Sequence, residues 1–278
     1  MPDGVLYLVG VPIGNYEDMT FRAVETLKNV DIIAAEDTRR AKRLLSHFAI
    51  TPKRLLSHHA HNEQDSAPAL IEELQKGLNI ALMTDAGMPS VSDPGYYLTS
   101  QAQKVGVQVK VIPGVSAVPT ALAVSGLPAE DFRFTGFLPR KKGQREKTLE
   151  GLKSQPSTLV FFESPRRTIE TLQDLHSHLG NREACLCREL TKTHEEVLQK
   201  PLEELIWILE NRDEVLGEVT LVVAGASDAD TQLGEAALEK LILAGLEKGK
   251  NPKTLRDEIA ERHGLRKKDV YDKIISLK

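Results

Sequence analysis

Asn79-Ile80-Ala81-Leu82-Met83-Thr84-Asp85-Ala86-Gly87-Met88-Pro89-Ser90-Val91-Ser92-Asp93-Pro94-Gly95 is the stretch that decides the fold class. It opens on a short apolar run, the pattern of a strand covered on both faces. The twelve residues that follow, 84–95, hold two glycines, two prolines and two aspartates. Proline stiffens such a loop, and glycine lets its backbone approach a ligand. The carboxylates accept hydrogen bonds from a ribose or an ammonium group.

Outward from this loop the same pattern recurs. Val5-Leu6-Tyr7-Leu8-Val9 reads as a buried strand ending at Gly10, and 31–35 as another. Residues 21–29 and 69–76 read as helices, the second stopped by Gly77. A helix over 96–105 and a strand over 107–112 come next. Strands alternating with helices predict βαβ units and a mainly parallel sheet. Gly10-Val11-Pro12-Ile13-Gly14 follows a strand but fails the dinucleotide fingerprint, with Pro at 12 and Asn at 15. Val111-Ile112-Pro113-Gly114-Val115-Ser116-Ala117 is a third strand-end turn, leading into a helix over 115–125. Three such turns imply one crevice, at the strand ends where α/β proteins bind ligands.

The alternation resumes with strands at 158–162, 184–187 and 219–224 and helices at 168–179 and 202–210. A second α/β unit therefore spans about 118–225, and 226–234 reads as a linker. The tail differs. Residues 235–248 carry helical apolar spacing at Leu238, Leu241, Ile242 and Leu246. Pro252 suits the first turn of another helix, Gly264 its end, and 269–277 a third. With Arg262, Arg266, Lys267 and Lys268 near the last turn of the second helix, the tail reads either as a nucleic-acid module or as a helical cap on the main body.

A chain of 278 residues suits two domains plus a small appendage, and 41% apolar with 27% charged residues excludes disorder. No apolar stretch approaches a membrane span, and no basic segment precedes an apolar run at the N-terminus, so a cytoplasmic protein without signal peptide is expected. Cys185 and Cys187 would point the same way on a strand, a spacing that suits neither a tight disulfide nor zinc. Aromatics at 5% disfavour a protein built of stacked aromatic platforms. The net charge of −4 hides asymmetry: 193–239 carry a local −10 and 250–278 a local +4. Further basic runs stand at Arg39-Arg40-Ala41-Lys42-Arg43 and Arg140-Lys141-Lys142-Gly143-Gln144-Arg145. Such patches bind polyanions or are plain solvated faces.

Five ordered motifs carry a resemblance. They are Ala35-Glu36-Asp37-Thr38-Arg39; Asp85-Ala86-Gly87 with Asp93-Pro94-Gly95; Val124-Ser125-Gly126-Leu127-Pro128 leading to Gly136-Phe137-Leu138-Pro139; Phe162-Glu163-Ser164-Pro165-Arg166-Arg167; and Arg188-Glu189-Leu190-Thr191-Lys192. Together they resemble the tetrapyrrole methylase superfamily, over about 4–225. Within it they are most similar to the bacterial branch that methylates a cytidine ribose 2′-oxygen in the decoding centre of 16S ribosomal RNA. The resemblance implies a two-domain α/β fold with a small C-terminal helical appendage, divided as 1–117, 118–225 and 235–278. It also implies S-adenosylmethionine as cofactor, 16S RNA or the small subunit as substrate, and a homodimer. By position it places Val11, Pro12, Gly14, Asp85, Gly87, Met88, Val91, Ser92, Ser116 and Ala117 on the cofactor from the first domain. Phe162, Glu189, Glu218 and Val219 would close over it from the second.

Methyl transfer to a hydroxyl needs in-line approach and loss of a proton held by a very weak acid. The sulfonium becomes neutral, so carboxylates should be few near the methyl group. Glu163 and Asp37 are the candidate bases. Lys192 or Arg188 would steady the alkoxide. Arg39, Arg166 and Arg167 suit phosphate clamping, with Arg140, Lys141, Lys142, Arg266, Lys267 and Lys268 as further RNA contacts. His58, His59 and His61 suit a polar loop near RNA better than a metal site, and no metal is expected. Two alternatives stay open: a tetrapyrrole methyltransferase, and a ribosome-assembly factor that binds RNA without catalysis.

Overall fold

The computed structural model describes residues 3–227, 235–263 and 265–277. Five strands, β1 (Val5–Val9), β2 (Ile32–Ala35), β3 (Leu55–Ser57), β4 (Ile80–Met83) and β5 (Gln108–Ile112), form one sheet in the order β3-β2-β4-β1-β5. Every pairing in it is parallel. Its helices are α1 (Phe21–Asn29), α2 (Thr38–His47), α3 (Glu63–Gln75) and α4 (Tyr96–Lys104). The inner strands β2 and β4 are apolar throughout because helices cover both faces, whereas edge strand β5 carries Gln108 and Lys110. Ile33 and Ala35 of β2 pack with Ala23, Leu27, Ala41 and Leu45 of α1 and α2. Ile32 and Ala34 pack with Leu70, Leu74, Leu98 and Ala102 of α3 and α4.

Two helices depart from the sequence expectation. The basic run at 39–43 lies inside α2, whose N-terminus is capped by the Asp37 side chain accepting from the Arg39 N–H at 2.7 Å. The helix buries Ala41, Leu44 and Leu45, which the density of arginine hides. Helix α3 begins at Glu63 rather than 69 and absorbs Pro68, because Ala67, Leu70, Ile71 and Leu74 give it a buried face.

The second sheet is β6 (Phe132–Phe137), β7 (Thr158–Glu163), β8 (Glu183–Arg188), β9 (Glu196–Pro201) and β10 (Val219–Val223), in the order β6-β7-β10-β8-β9. Here the expectation of a parallel sheet fails. Only β6 and β7 run parallel; β10 is antiparallel to β7 and β8, and β8 to β9. Residues 189–195 join β8 to β9 directly, and a short connection of that kind can only join antiparallel neighbours. Helices α6 (Lys142–Glu150), α7 (Thr168–Leu179) and α8 (Leu202–Glu210) pack on one face through Leu149, Leu172, Leu175, Leu205 and Leu209. Helix α5 (Ala117–Ser125) covers the other, with Val118, Ala121 and Leu122 against Val160, Cys185, Cys187 and Val222. The two cysteines share that face as free, buried thiols with sulfurs 3.7 Å apart. Ile13 joins the same cluster, so the loop after β1 is packed into the core of the second sheet.

Three tail helices, α9 (Glu235–Glu247), α10 (Pro252–His263) and α11 (Lys267–Ser276), enclose their own small core of Ile242, Leu255, Ile259, Val270 and Ile274. Pro252 opens α10 as expected; Gly264 and most of the expected linker lie outside the described residues. Arg266 precedes α11 and Lys267 and Lys268 open it, since Pro252–His263 ends before them. Cations at a helix N-terminus oppose the dipole, and Asp269 and Asp257 offset this by pairing Arg266 at 2.8 Å and Lys267 at 3.2 Å. Among the described residues no helix is long and apolar enough to cross a membrane.

The turns after β1 and β5 meet backbone to backbone at two glycines. A Cβ on Gly10 would stand 2.7 Å from the Gly114 nitrogen and 2.8 Å from its Cα. Gly10→Ala should therefore push the turns after β1 and β5 apart, lowering stability by about 1–3 kcal/mol in urea unfolding. An unchanged midpoint would show that the turns move freely.

Candidate functional site

The C-terminal ends of β1, β4 and β5 point the same way because the three strands are adjacent and parallel. Their turns are fastened to one another by backbone. The Val11 N–H donates to the Gly87 carbonyl at 2.9 Å, and the Gly87 N–H returns to Val11 at 3.1 Å. Gly87 takes φ +75°, which glycine alone adopts freely. Ser90 and Ser92 also hold left-handed backbone, at φ 69° and 63°, a strained conformation that persists only where the surroundings enforce it. The β6 bulge at Gly136 reaches this loop from the second sheet; a Cβ there would lie 3.2 Å from Ser92 Oγ.

Between these turns and the strand ends of the second sheet lies a cleft of about 750 Å³, open at its mouth. Of the residues proposed for cofactor contact, Gly87, Met88, Val91, Ser92, Ser116 and Ala117 line it from one side and Phe162, Glu218 and Val219 from the other. Glu163, proposed as a base, is in the same wall. Sequence reasoning missed Ile13, Ala86, Asp93, Phe137 and Thr220. Asp93 was visible in the Asp93-Pro94-Gly95 motif, whereas Thr220 carries no signal beyond its neighbour Val219.

Five proposed contacts are displaced. Val11 and Pro12 are buried beneath the loop, with Val11 used up in its bridge to Gly87. Gly14 faces away and packs against Thr191 and Lys192. Asp85 stands behind the lining, accepting from the Asp37 N–H at 3.1 Å and pairing Arg40 at 3.4 Å. Glu189 accepts from Lys192 Nζ and from the Glu218 N–H, both at 2.8 Å.

The proposed catalytic groups do not converge. Glu163 is buried, and its oxygens accept from the Ser164 N–H at 2.7 Å and the Thr171 hydroxyl at 2.6 Å, with Arg167 at 3.6 Å. Asp37 caps α2 outside the cleft, and the Arg39 N–H and guanidinium hold its carboxyl below the usual range. Arg188 and Arg212 share Glu196, whose carboxyl is pulled down to about 2, first by Arg212 and then by Arg188. Lys192 bridges Glu189 at 2.8 Å and Glu218 at 3.0 Å; burial works against its charge, but the two carboxylates raise its pKa overall.

The proposed phosphate contacts also divide. Arg39, Arg140, Lys141, Lys142 and Arg166 are exposed. Arg167 instead donates to the Leu138 carbonyl at 3.1 Å, fixing the end of β6. Arg145 of the same basic run is buried between Glu170 and Asp174. His58 is buried too, its Nδ1 2.8 Å from Ser66 Oγ, and burial lowers its pKa. Among the described residues no cluster of His, Cys, Asp or Glu is placed to hold a metal ion.

Among the described residues three carboxylates and no cation line the cleft. That corrects the expectation of few acids, yet each charge is muted. Glu163 is engaged by donors and Glu218 by Lys192. Asp93 is pushed up to about 7, first by burial and then by Glu36, Asp85 and Glu218. Glu36 and Asp85 are likewise raised, mainly by burial. A cleft of this composition suits a cationic ligand bearing hydroxyls and repels a polyphosphate.

Two α/β sheets meeting at a strand-end cleft define a class of two-sheet α/β protein. A uroporphyrin-III-C-methyltransferase from Thermus thermophilus shares the arrangement, with TM-score 0.57 and 21% identity over 80% of this chain and 94% of that one. A diphthine synthase does so with TM-score 0.61 and 16% identity over 80% and 90%. The chain belongs to the Tetrapyrrole (Corrin/Porphyrin) Methylases, whose family model matches residues 5–206. It is a methyltransferase. It is similar at 47% identity to the ribosomal RNA small subunit methyltransferase I of Halalkalibacterium halodurans, over 97% of this chain and 94% of the relative. The Vibrio cholerae protein of the same name is 46% identical over 98% and 95%.

Asp93 gives a test of the cleft's electrostatics. Between its ordinary value of 3.8 and about 7 the folded chain holds a proton that the unfolded chain releases. Stability should therefore fall as pH rises across that window. Asp93→Asn should flatten this slope in urea unfolding followed from pH 4 to 8; an unaltered slope would place the titration elsewhere.

Proposed function

We propose that this chain transfers a methyl group from S-adenosylmethionine to small-subunit ribosomal RNA, at the 2′-oxygen of a cytidine ribose in the decoding centre. Full-length similarity to ribosomal RNA methyltransferases supports the RNA substrate, and the motif order supports the ribose position. The observation that carries the cofactor is the cleft lining, acidic, partly apolar and without a cation. It also disfavours a tetrapyrrole, whose many carboxylates would find no partner there. The reading carries a division into 1–117, 118–225 and 235–278, a cytoplasmic setting and a homodimer, each resting on the family likeness; sedimentation tests the last.

When bound, the cofactor supplies an electrophilic methyl on a sulfonium. Helix α5 begins at the cleft, and the Ser116 side chain makes no cap hydrogen bond. Pro119 has no N–H and the Thr120 N–H bonds the Ser116 carbonyl, so the Ala117 and Val118 N–H groups are the first-turn donors left to meet a ligand carboxylate. Phe162, with Phe134 at 4.8 Å and Phe137 at 5.8 Å, forms an aromatic wall suited to a purine. Ser92 can accept from a ribose hydroxyl of the cofactor. Among the cleft carboxylates Glu163 is satisfied by donors and Glu218 by Lys192, so Asp93 is the group poised to take the substrate proton near neutral pH. This moves the base from Glu163 or Asp37 to a neighbour in the same cleft. The separate core of the tail helices and its exposed Lys268 suit an RNA-contacting appendage.

Tritium transfer from labelled cofactor to small subunits, to free 16S RNA and to a tetrapyrrole tests the substrate. Label should appear on the RNA; label on the pigment alone, or on neither, would overturn the reading. The rate should rise with pH through the Asp93 titration, and Asp93→Asn should remove that limb with a loss of about 10²–10⁴-fold. Deleting 235–278 should weaken RNA binding more than cofactor binding, and RNA affinity should drop steeply with salt. Equal losses would make the tail a support of the fold.

A further inference from the structure

Lys192 belongs to two surfaces. Its Nζ bonds Glu218 in the cleft wall, and it also lines a second, open groove of about 1130 Å³. That groove is bounded by Gly14, Tyr16 and Glu17 after β1, His47 at the end of α2, and Thr191 after β8. It thus joins both sheets beside the cleft without entering it.

Its chemistry differs from the cleft's. Tyr16 is 40% exposed, with its ring 4.5 Å from that of His47 and 6.3 Å from Phe48. Thr191 is held in left-handed backbone at φ 68°, and its buried Oγ1 has no hydrogen-bond partner. The cation present, Lys192, is already bound by Glu189 and Glu218, and Glu17 adds negative charge, so the groove is not built for a phosphate. A half-exposed aromatic ring at the wall of an open groove suits a flat group.

Two arginines and a histidine lead to it. Arg39, Arg43 and His47 recur every four residues on α2, placing them on one exposed stripe about 12 Å long. Arg40, on the same helix, pairs Asp85 of the cleft loop at 3.4 Å, so the stripe starts beside the cleft and ends at Tyr16.

We propose that the groove holds the base of an RNA nucleotide neighbouring the methylated one, laid against the Tyr16 ring, with the adjoining phosphates following Arg39 and Arg43. Single-stranded RNA is recognised in this way, by bases splayed onto aromatic rings and phosphates tracked by cations. The subsite rests on the RNA-methylating reading above. It sets which sequence context the enzyme accepts, while the cleft performs the transfer.

The test is label-transfer kinetics on small-subunit RNA, with cofactor affinity measured separately by calorimetry. Tyr16→Ala should raise KM for RNA about tenfold, leaving cofactor affinity unchanged. Tyr16→Phe and Tyr16→Trp should keep the wild-type KM, since stacking needs the ring and not the hydroxyl. Arg43→Ala should raise KM and lessen its salt dependence. A wild-type KM in Tyr16→Ala overturns the subsite. So does a Tyr16→Phe as impaired as Tyr16→Ala, or a Tyr16→Ala that loses cofactor affinity in step with RNA. Should the wild-type enzyme transfer no label to RNA at all, the substrate reading itself falls and the subsite with it.

Discussion

The site depends on a backbone contact that only glycine permits. Gly10 and Gly114 touch main chain to main chain, and Gly87 is bridged to Val11 on the next turn. Three strand-end loops are thereby held as one surface. Parallel strands bring those loops to the same edge of the sheet, but without the small residues side chains would splay them. Ile13, carried on the first of these loops, then inserts into the core beneath α5. The geometry of the cleft is therefore held by the glycine contacts among its turns and by the hydrophobic core of the second sheet together.

The electrostatics follow from the same enclosure. Burial raises the Asp93, Asp85 and Glu36 carboxyls together, and the Arg40 guanidinium beside Asp85 only partly offsets it, whereas Asp37 is lowered by its hydrogen bonds from Arg39. The cations that the sequence offers are spent at the periphery. Arg188 serves Glu196, Lys192 serves Glu189 and Glu218, and Arg145 is buried under α7. What remains is a cleft acidic enough to attract a cation, whose charges are nonetheless muted one by one. A sulfonium that must become neutral is not over-stabilised in such surroundings.

The exposed cations form surfaces of their own. The arginine stripe on α2 and the loop at 140–142 face solvent, whereas the tail cations are partly matched by acids within the three-helix unit. A negative net charge is thus compatible with a nucleic-acid substrate, because the binding charge is local.

The sequence by itself determined four of the five strands of the first sheet, all but the short edge strand β3, together with most of its helices and the three strand-end turns. Apolar runs closed by glycine and proline have few other solutions, and the motif order placed nine of the proposed cofactor contacts on the cleft lining. It did not reveal α2, whose buried residues stand among arginines, or the antiparallel second sheet, because strand direction depends on how connections close. Nor did it separate Arg167 and Arg188, which hold the fold, from Arg39 and Arg166, which face solvent. Composition and spacing state what a residue is able to do. Only the tertiary structure decided which groups had already been paired and which were left free, because pairing depends on neighbours far away along the chain.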